Sequence, residues 1–283
     1  MNTTVVSGYT LSTKGKYNST ISWTVDQDHS EILFNNQLIN ETDEDINITL
    51  TAKVSYNTFT SGNVDFEVTV LYEKQTDVSD YYSSISNTVG NALKLELREL
   101  ITETHTKVTT YDDLKEYLQE ADEDPNNPNN MILFYTGASV PKTANMNVWN
   151  REHVWAQSLT NNWFGTSKAG ADMHHIRPCN PDVNSSRGNK KFGTSSGYYD
   201  PSAHGGDFRG DVARILFYMF TRYTEADSRN FTDIAESLAI LLLWNDLDPV
   251  SETEIIRNNY TQTIQGNRNP FIDNPDYADM IWE

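Results

Sequence analysis

The chain has 283 residues, of which 37% are hydrophobic and 22% are charged. This length and composition favour two folded domains and exclude a chain that is disordered along most of its length. The formal net charge of −19 argues against a protein that coats nucleic acid indiscriminately, because Lys and Arg dominate phosphate binding.

Residues 1 to about 73 alternate apolar and polar side chains in short runs. The runs are Thr20–Val25, Glu31–Phe34, Ile46–Tyr56 and Val64–Tyr72. A period of two, with β-branched and aromatic residues, predicts half-buried antiparallel strands, and the spacing of the turns predicts a sandwich. The first and third runs loosely resemble bacterial immunoglobulin-like modules. The resemblance implies a spacer or adhesion domain over residues 1–75.

Near residue 76 the strand pattern ends, and the second domain, residues 76–283, begins. Helical spacing there predicts helices over Ser83–Thr104, Tyr111–Ala121, Asp211–Tyr223, Asp233–Leu247 and Asp276–Trp282. The run Met131–Gly137 predicts a buried strand and the polar stretch before it a loop. Two prolines after Gly266 favour a segment that wraps around the surface.

Three further features limit the class of protein. No window approaches the roughly 20 apolar residues of a membrane helix, and no signal peptide is visible at the N-terminus. The single cysteine, Cys179, excludes an internal disulfide and a cysteine-rich zinc site, and we interpret it as a small buried residue. The segment from Arg151 to Arg222 contains nine Lys or Arg residues and six Asp or Glu residues. This local excess of positive charge predicts a basic stripe that binds a polyanion.

The residues suited to catalysis lie where four of the six histidines cluster, at His153, His174, His175 and His204. Short apolar runs near Val154 and Met173, followed by a polar helix from about Asp182, predict a strand–strand–helix unit. Hydrolysis of a phosphodiester needs an activated water, neutralised phosphate charge and help for the departing oxygen. Glu152 would supply an oxygen ligand to a hard cation beside His153, and an asparagine on the following helix would add a second. Mg²⁺ is the expected ion, with Mn²⁺ or Ca²⁺ as alternatives.

Residues 79–283 resemble the endonuclease I family of bacterial extracellular and periplasmic nucleases, in the His-Me finger (ββα-metal) group. The resemblance lies in Asn150–Trp155, Ala171–Pro178, Asp182–Gly193, Arg209–Met219 and Ile264–Asp273. It implies an α+β nuclease domain, with a finger against a mainly helical body, behind the all-β domain. It also implies an extracellular or cell-surface location, with the signal peptide outside this sequence.

The same resemblance implies that His153 is the general base, that Glu152 and Asn184 bind the metal, and that cleavage of DNA, and often of RNA, leaves a 5′-phosphate. From charge and position, we expect four cations to hold phosphates: Arg187, Lys190, Arg209 and Arg214, the last on the transition-state or leaving-group side. Some members of the family carry a long insertion between the Glu-His pair and the metal-binding asparagine, with an arginine that contacts phosphate, and this chain has no arginine between His153 and Arg177.

Supporting residues and rival functions complete the expectations. His174 and His175 are expected to orient the strands through hydrogen bonds, and Asp172 either accepts a proton from a histidine or shapes a turn. One rival is a surface-binding protein with an inactive nuclease fold. The other is a zinc hydrolase that uses His174 and His175, because imidazoles favour zinc.

Overall fold

The structure is a computed structural model that describes residues 3–6, 9–15, 19–34, 36–38, 40, 44–71, 78, 80–86, 89–160 and 163–283. Contacts within the chain divide it into two compact units, Met1–Asp77 and Val78–Glu283. Each unit buries its own apolar cluster, as separately folding domains do. Among the described residues, no helix is both long and apolar enough to cross a bilayer.

The first unit is built from β-strands. They are β1 (Thr3–Val6), β2 (Tyr9–Thr10), β3 (Thr20–Val25), β4 (Leu33–Phe34), β5 (Gln37–Leu38), β6 (Ile46–Tyr56), β7 (Phe59–Thr60) and β8 (Val64–Leu71). One sheet has the order β1-β8-β6-β3 with β7 paired to β6, and a second has the order β2-β5-β4. In β6, Ile48, Leu50 and Ala52 are buried, which confirms the period of two.

This unit holds one pairing that the sequence did not predict, and one predicted strand was wrong in its bounds. Strand β1 pairs with β8 in parallel, because a strand that arrives from a distant part of the chain is not held antiparallel by a hairpin. Half of the predicted strand Glu31–Phe34 is the end of a 3-10 turn over Gln27–Ile32, and the other half, Leu33–Phe34, forms β4. Residue 72, predicted to end the last strand, lies outside the described residues. The immunoglobulin-like assignment stays a prediction.

The second unit mixes helices with short strands. Its helices are α1 (Gly90–Thr104), α2 (Leu114–Ala121), α3 (Pro181–Arg187), α4 (Arg209–Arg222), α5 (Leu238–Leu247), α6 (Glu252–Gln265), α7 (Pro270–Asp273) and α8 (Tyr277–Trp282). Its strands are β9 (Glu123–Asp124), β10 (Asn127–Leu133), β11 (Ala138–Pro141), β12 (Asn150–His153) and β13 (Ile176–Cys179). Helix α4 lies at the centre, since every residue from Gly210 to Thr221 is buried, and α1, α5 and α7 pack against it.

Several boundaries differ from the predictions for physical reasons. Helix α1 begins at Gly90 rather than at Ser83, and residues 83–84 form a turn. The predicted loop over residues 122–130 contains β9 and much of β10, because Asp124 closes a tight turn by accepting from the backbone N–H of Asn126. The segment after Gly266 is buried rather than superficial: Asn267, Asn269 and Phe271 have no exposed surface.

Candidate active site

A finger made of β12, β13 and α3 forms the predicted strand–strand–helix unit. The two strands pair antiparallel, with Glu152 opposite Arg177 and His153 opposite Ile176. The backbone N–H of Phe134, just after β10, donates to the carbonyl of Pro178 at 2.8 Å and ties the finger to the neighbouring sheet. The strands lie within a few residues of the predicted positions.

Helix α3 begins and ends where its sequence dictates. The Asn180 side chain accepts from the backbone N–H groups of Asp182 and Val183, and Pro181 occupies the first turn. Gly188, with φ 55°, follows the last helical residue. Asn184 therefore lies inside the helix, and the capping function that an asparagine often performs belongs to Asn180.

Glu152, His153 and Asn184 line one open cleft of about 460 Å³. The cleft brings the three residues singled out from the sequence together. Asn184 donates from its amide nitrogen to Oδ1 of Asn150 at 2.8 Å, which links the helix to the start of β12. Arg151 and Gln157 also line this cleft.

Glu152 is a buried carboxylate held by two donors. The Tyr135 hydroxyl donates to its Oε1 at 2.9 Å, and Nη1 of Arg187 lies 3.2 Å from the same oxygen. Burial raises the pKa of Glu152, although the charge of Arg187 and the hydrogen bond from Tyr135 oppose this effect. The two donors hold the carboxylate in one orientation.

His153 is half-buried, and its ring is nearly parallel to the rings of Tyr111 and Phe164, at centroid distances of 5.5 and 6.1 Å. Its Nε2 is 3.1 Å from the carbonyl oxygen of Gly170. The amide nitrogen of Gln157 also lies 3.2 Å from Nε2, but it donates to the carbonyl of Gly165 at the shorter distance of 2.5 Å. Because the carbonyl oxygen of Gly170 only accepts, we assign the proton to Nε2, which leaves Nδ1 with a lone pair. Burial first, and then the charges of Arg151 and Arg187, lower the pKa of His153 to about 4. The ring is therefore neutral at neutral pH.

The residues expected to hold a cation present hard oxygen donors. Oε2 of Glu152 receives no hydrogen bond from the described residues, because Tyr135 and Arg187 both contact Oε1. Asn184 has committed its amide nitrogen to Asn150, so its oxygen stays available. Among the described residues, no group of three His, Cys, Asp or Glu side chains is placed to hold an ion. The donor set fits a largely hydrated hard cation such as Mg²⁺.

Two of the four cations that we expected to bind phosphate form ion pairs away from the cleft. Arg214 is fully buried, and its guanidinium donates to both carboxylate oxygens of Glu254 at 2.7 and 2.8 Å. Arg209 donates to both oxygens of Asp200 at 2.9 and 2.7 Å. Neither residue lines the cleft. The expectation for Arg214 was wrong, because a guanidinium without exposed surface cannot reach a substrate.

The other two expected contacts lie in and beside the finger. Arg187 is 1% exposed, and it donates to the carbonyl oxygens of His153 and Val154 at 3.0 and 2.6 Å. These contacts indicate that Arg187 supports β12 and Glu152 rather than binding phosphate. Lys190 is exposed and donates to the carbonyl oxygen of Ser186 at 2.8 Å. Three arginines of the predicted basic stripe are buried and pair with buried acids: Arg177 with Asp122, Arg187 with Glu152 and Arg214 with Glu254.

Arg151 is a cleft cation that the sequence reasoning did not single out. Its guanidinium lies 3.6 Å from the centre of the Tyr111 ring and donates to the carbonyl oxygen of Tyr111. Arg151 and His153 are two residues apart in β12, so their side chains share one face of the strand. That spacing of two residues from His153 is the sequence signal by which Arg151 could have been found.

The supporting residues form hydrogen bonds behind the finger. Nε2 of His175 accepts from the backbone N–H of Trp155 at 2.9 Å, and Nδ1 donates to the carbonyl of Ala169 at 2.7 Å. His174 contacts the carbonyl of Asn267 through Nε2 at 3.2 Å. Asp172 accepts from the hydroxyls of Tyr218 and Tyr223 at 2.7 and 2.6 Å. These bonds fit the orienting function expected of the two histidines.

The same contacts argue against two alternatives. Both ring nitrogens of His175 are committed, so this residue has no lone pair for zinc. Cys179 is buried, and burial raises the pKa of its thiol well above the usual range, which disfavours a catalytic thiolate.

Comparison with known proteins identifies the family of this chain. The model of the Endonuclease I family matches residues 89–276. The chain is 42% identical to an extracellular ribonuclease of Bacillus amyloliquefaciens over 233 residues, which cover 73% of this chain and 79% of that protein. An extracellular ribonuclease of Bacillus subtilis (strain 168) is 41% identical over 232 residues, with the same coverage. A periplasmic deoxyribonuclease of Aeromonas hydrophila is 27% identical over 124 residues, 38% of this chain and 49% of that protein. The chain belongs to the endonuclease I family.

Proposed function

We propose that the protein is a secreted endonuclease that hydrolyses phosphodiester bonds of RNA and DNA with one divalent cation and leaves 5′-phosphate ends. The observation that carries the proposal is the single cleft lined by Glu152, His153 and Asn184. Membership of a nuclease family supports it. The relatives named extracellular ribonuclease and periplasmic deoxyribonuclease support both substrates and secretion.

His153 acts as the general base in this proposal. The carbonyl of Gly170 keeps the proton on Nε2, so Nδ1 is free to take a proton from the attacking water. A pKa of about 4 keeps the ring neutral at neutral pH, which is the form that accepts a proton. The stacked rings of Tyr111 and Phe164 hold the imidazole in place.

Glu152 and Asn184 are the residues that would hold the cation, through a carboxylate oxygen and an amide oxygen. When bound, the ion would neutralise charge that develops on the phosphate and assist departure of the 3′ oxygen. Tyr135 and Arg187 fix the Glu152 carboxylate from behind. Such outer contacts keep a ligand in one orientation before the ion arrives.

The proposed nucleophile is water, which determines the range of substrates. Attack by water does not use the ribose 2′-hydroxyl, so RNA and DNA are both suitable and their products carry the same ends. Arg151 offers a positive charge at the cleft for a substrate phosphate. Its contact with the Tyr111 ring keeps that charge beside His153.

The test is cleavage of supercoiled plasmid and of a labelled RNA by the full chain, with Mg²⁺ and with EDTA. We expect cleavage with Mg²⁺ only, ends that a ligase joins without prior phosphorylation, and a loss of at least about 100-fold in His153→Ala. His204→Ala is the matched control, because His204 is an exposed histidine that does not line the cleft. Full activity in EDTA or in His153→Ala would refute the assignment, and absence of any cleavage by the wild-type protein would favour the inactive surface-binding rival.

A further inference from the structure

A second cavity of about 220 Å³ lies in the same unit and shares no lining residue with the cleft. His105, Lys168 and Arg222 bring nitrogen groups to its wall, and Asp172 and Glu225 bring carboxylates. The proposed hydrolysis uses none of these side chains in contact with substrate.

The nitrogen groups of this cavity lack acceptors. Both ring nitrogens of His105 and Nε of Arg222 are buried without a hydrogen-bond partner among the described residues. Buried N–H groups are almost always paired, because an unpaired one loses its hydration without compensation. Because a neutral imidazole carries one N–H, His105 and Arg222 leave at least two buried N–H groups without an acceptor beside this cavity, which indicates a ligand that supplies acceptors.

The carboxylates do not supply them. Asp172 already accepts from four donors: the hydroxyls of Tyr218 and Tyr223, the side chain of Gln265 and the backbone N–H of His174. Glu225 is exposed, and its carboxylate contacts the Thr224 hydroxyl at 3.4 Å. Within the described part of the chain, neither Lys168 nor Arg222 forms an ion pair. Lys168 and Arg222 thus bring positive charge that no acid among the described residues contacts, while the carboxylates of Asp172 and Glu225 line the same wall.

We propose that this cavity binds a phosphate group, which accepts from Arg222 and His105 and lies near the ammonium group of Lys168. Several acceptor oxygens and a negative charge match these groups, since guanidinium groups favour oxyanions. The phosphate belongs either to a nucleic-acid chain or to free inorganic phosphate. The 3-10 turn Lys168–Ala171 connects the two sites, because Lys168 lines the cavity and the carbonyl of Gly170 contacts His153. The inference does not depend on hydrolysis in the cleft.

The test is calorimetric titration of the full chain in EDTA, with inorganic phosphate in one arm and a short single-stranded DNA in the other. We expect saturable binding of inorganic phosphate that weakens at least about tenfold in Arg222→Gln and in His105→Ala, because a charge-assisted bond is lost in the first. Glu225→Gln should strengthen binding, since it removes a like charge from the wall. Lys115→Gln, which changes an exposed lysine paired with Asp112, should bind as the wild type does.

The two titrations and the variants distinguish the possible sources of the phosphate. If Arg222→Gln also weakens binding of the DNA, the source is a nucleic-acid chain; if only inorganic phosphate responds, the source is the free ion. Absence of saturable phosphate binding by the wild-type protein overturns the proposal. Weaker binding in Glu225→Gln also overturns it, because that result indicates a ligand with donors for Glu225. The gain expected in Glu225→Gln cannot arise from misfolding, and thermal unfolding of each variant checks its fold.

Discussion

Nε2 of His153 and the carbonyl oxygen of Gly170 lie 3.1 Å apart, and this contact sets which ring nitrogen is free. Gly170 takes this position because its backbone passes very close to Gly165, where a Cβ on Gly170 would overlap the Gly165 carbonyl. The carbonyl of Gly165 in turn accepts from the side chain of Gln157 at 2.5 Å. A glycine without catalytic atoms thus orients the imidazole.

Gly170→Ala should therefore lower kcat by about 100-fold, because a small displacement of a positioned base is costly. Gly165→Ala is the matched control, since a Cβ at that position meets no atom within 4 Å. Steady-state kinetics on RNA measure both variants, and thermal unfolding reports on the fold. Equal activity of the two alanine variants would show that the Gly170 carbonyl does not position His153.

Tyr135→Phe should raise the Mg²⁺ concentration needed for half-maximal activity by about tenfold, a usual effect of losing a contact behind a metal ligand. The Tyr135 hydroxyl donates to Glu152, so the variant leaves the carboxylate less constrained. Tyr199→Phe is the control, because the buried Tyr199 hydroxyl has no hydrogen-bond partner among the described residues. A similar shift in both variants would mean that the hydrogen bond to Glu152 is unimportant.

Arg187→Met should destabilise the protein by about 3–5 kcal/mol, because it leaves the buried Glu152 carboxylate without its cation. Urea unfolding measures the loss, and Lys190→Met, at an exposed position, should change stability by less than about 0.5 kcal/mol. Adding Glu152→Gln to Arg187→Met should recover part of the stability, since the unpaired charge is gone. If the double variant is no more stable than Arg187→Met, the pair is not the source of the effect.

The buried histidines predict a dependence of stability on pH. Burial lowers the pKa of His174 to about 4 and that of His175 to about 3. In the unfolded chain each histidine binds a proton near pH 6.5, so below that pH the unfolded state binds more protons. The contribution of the two neutral histidines to the free energy of unfolding is complete above pH 6.5. It is lost as the pH falls, by up to about 1.4 kcal/mol per pH unit for each histidine.

Asp211 makes stability depend on pH in the opposite direction. Burial and the charge of Glu254 raise its pKa to about 8, so its contribution to stability is lost as the pH rises. The comparison of wild type with His175→Gln isolates the histidine. We expect the difference in free energy of unfolding between the two proteins to shrink steadily from pH 6.5 to 4, as urea unfolding measures it. A difference that stays constant over this range would contradict burial of a neutral His175.

The finger was predictable from local sequence. Short apolar runs and a polar helix predicted from about Asp182 placed β12, β13 and α3 near their positions. The proximity of Glu152, His153 and Asn184 came from resemblance to a family, because periodicity alone does not bring an element 31 positions away to the same cleft. The structure adds Tyr135 and Gly170, whose contacts with the site cross long stretches of chain.

Other parts were not predictable because polar residues form the interior. Helix α6 buries Glu254, Arg257 and Asn258, so it has no apolar stripe from which to infer a helix. The prediction that Arg214 contacts phosphate failed for the same reason, because Arg214 pairs with Glu254 inside the protein. Counting charges along a sequence does not reveal which ones meet a partner after folding.

Because α4 is buried along almost its whole length, its amide protons can be used to measure the stability of this protein. Its amide protons from Gly210 to Thr221 belong to buried residues, so their exchange with deuterium requires opening of the whole unit rather than fraying. Their exchange rates then report the global free energy of opening under native conditions, without denaturant. Mass spectrometry of peptides from this helix would provide that quantity for any variant.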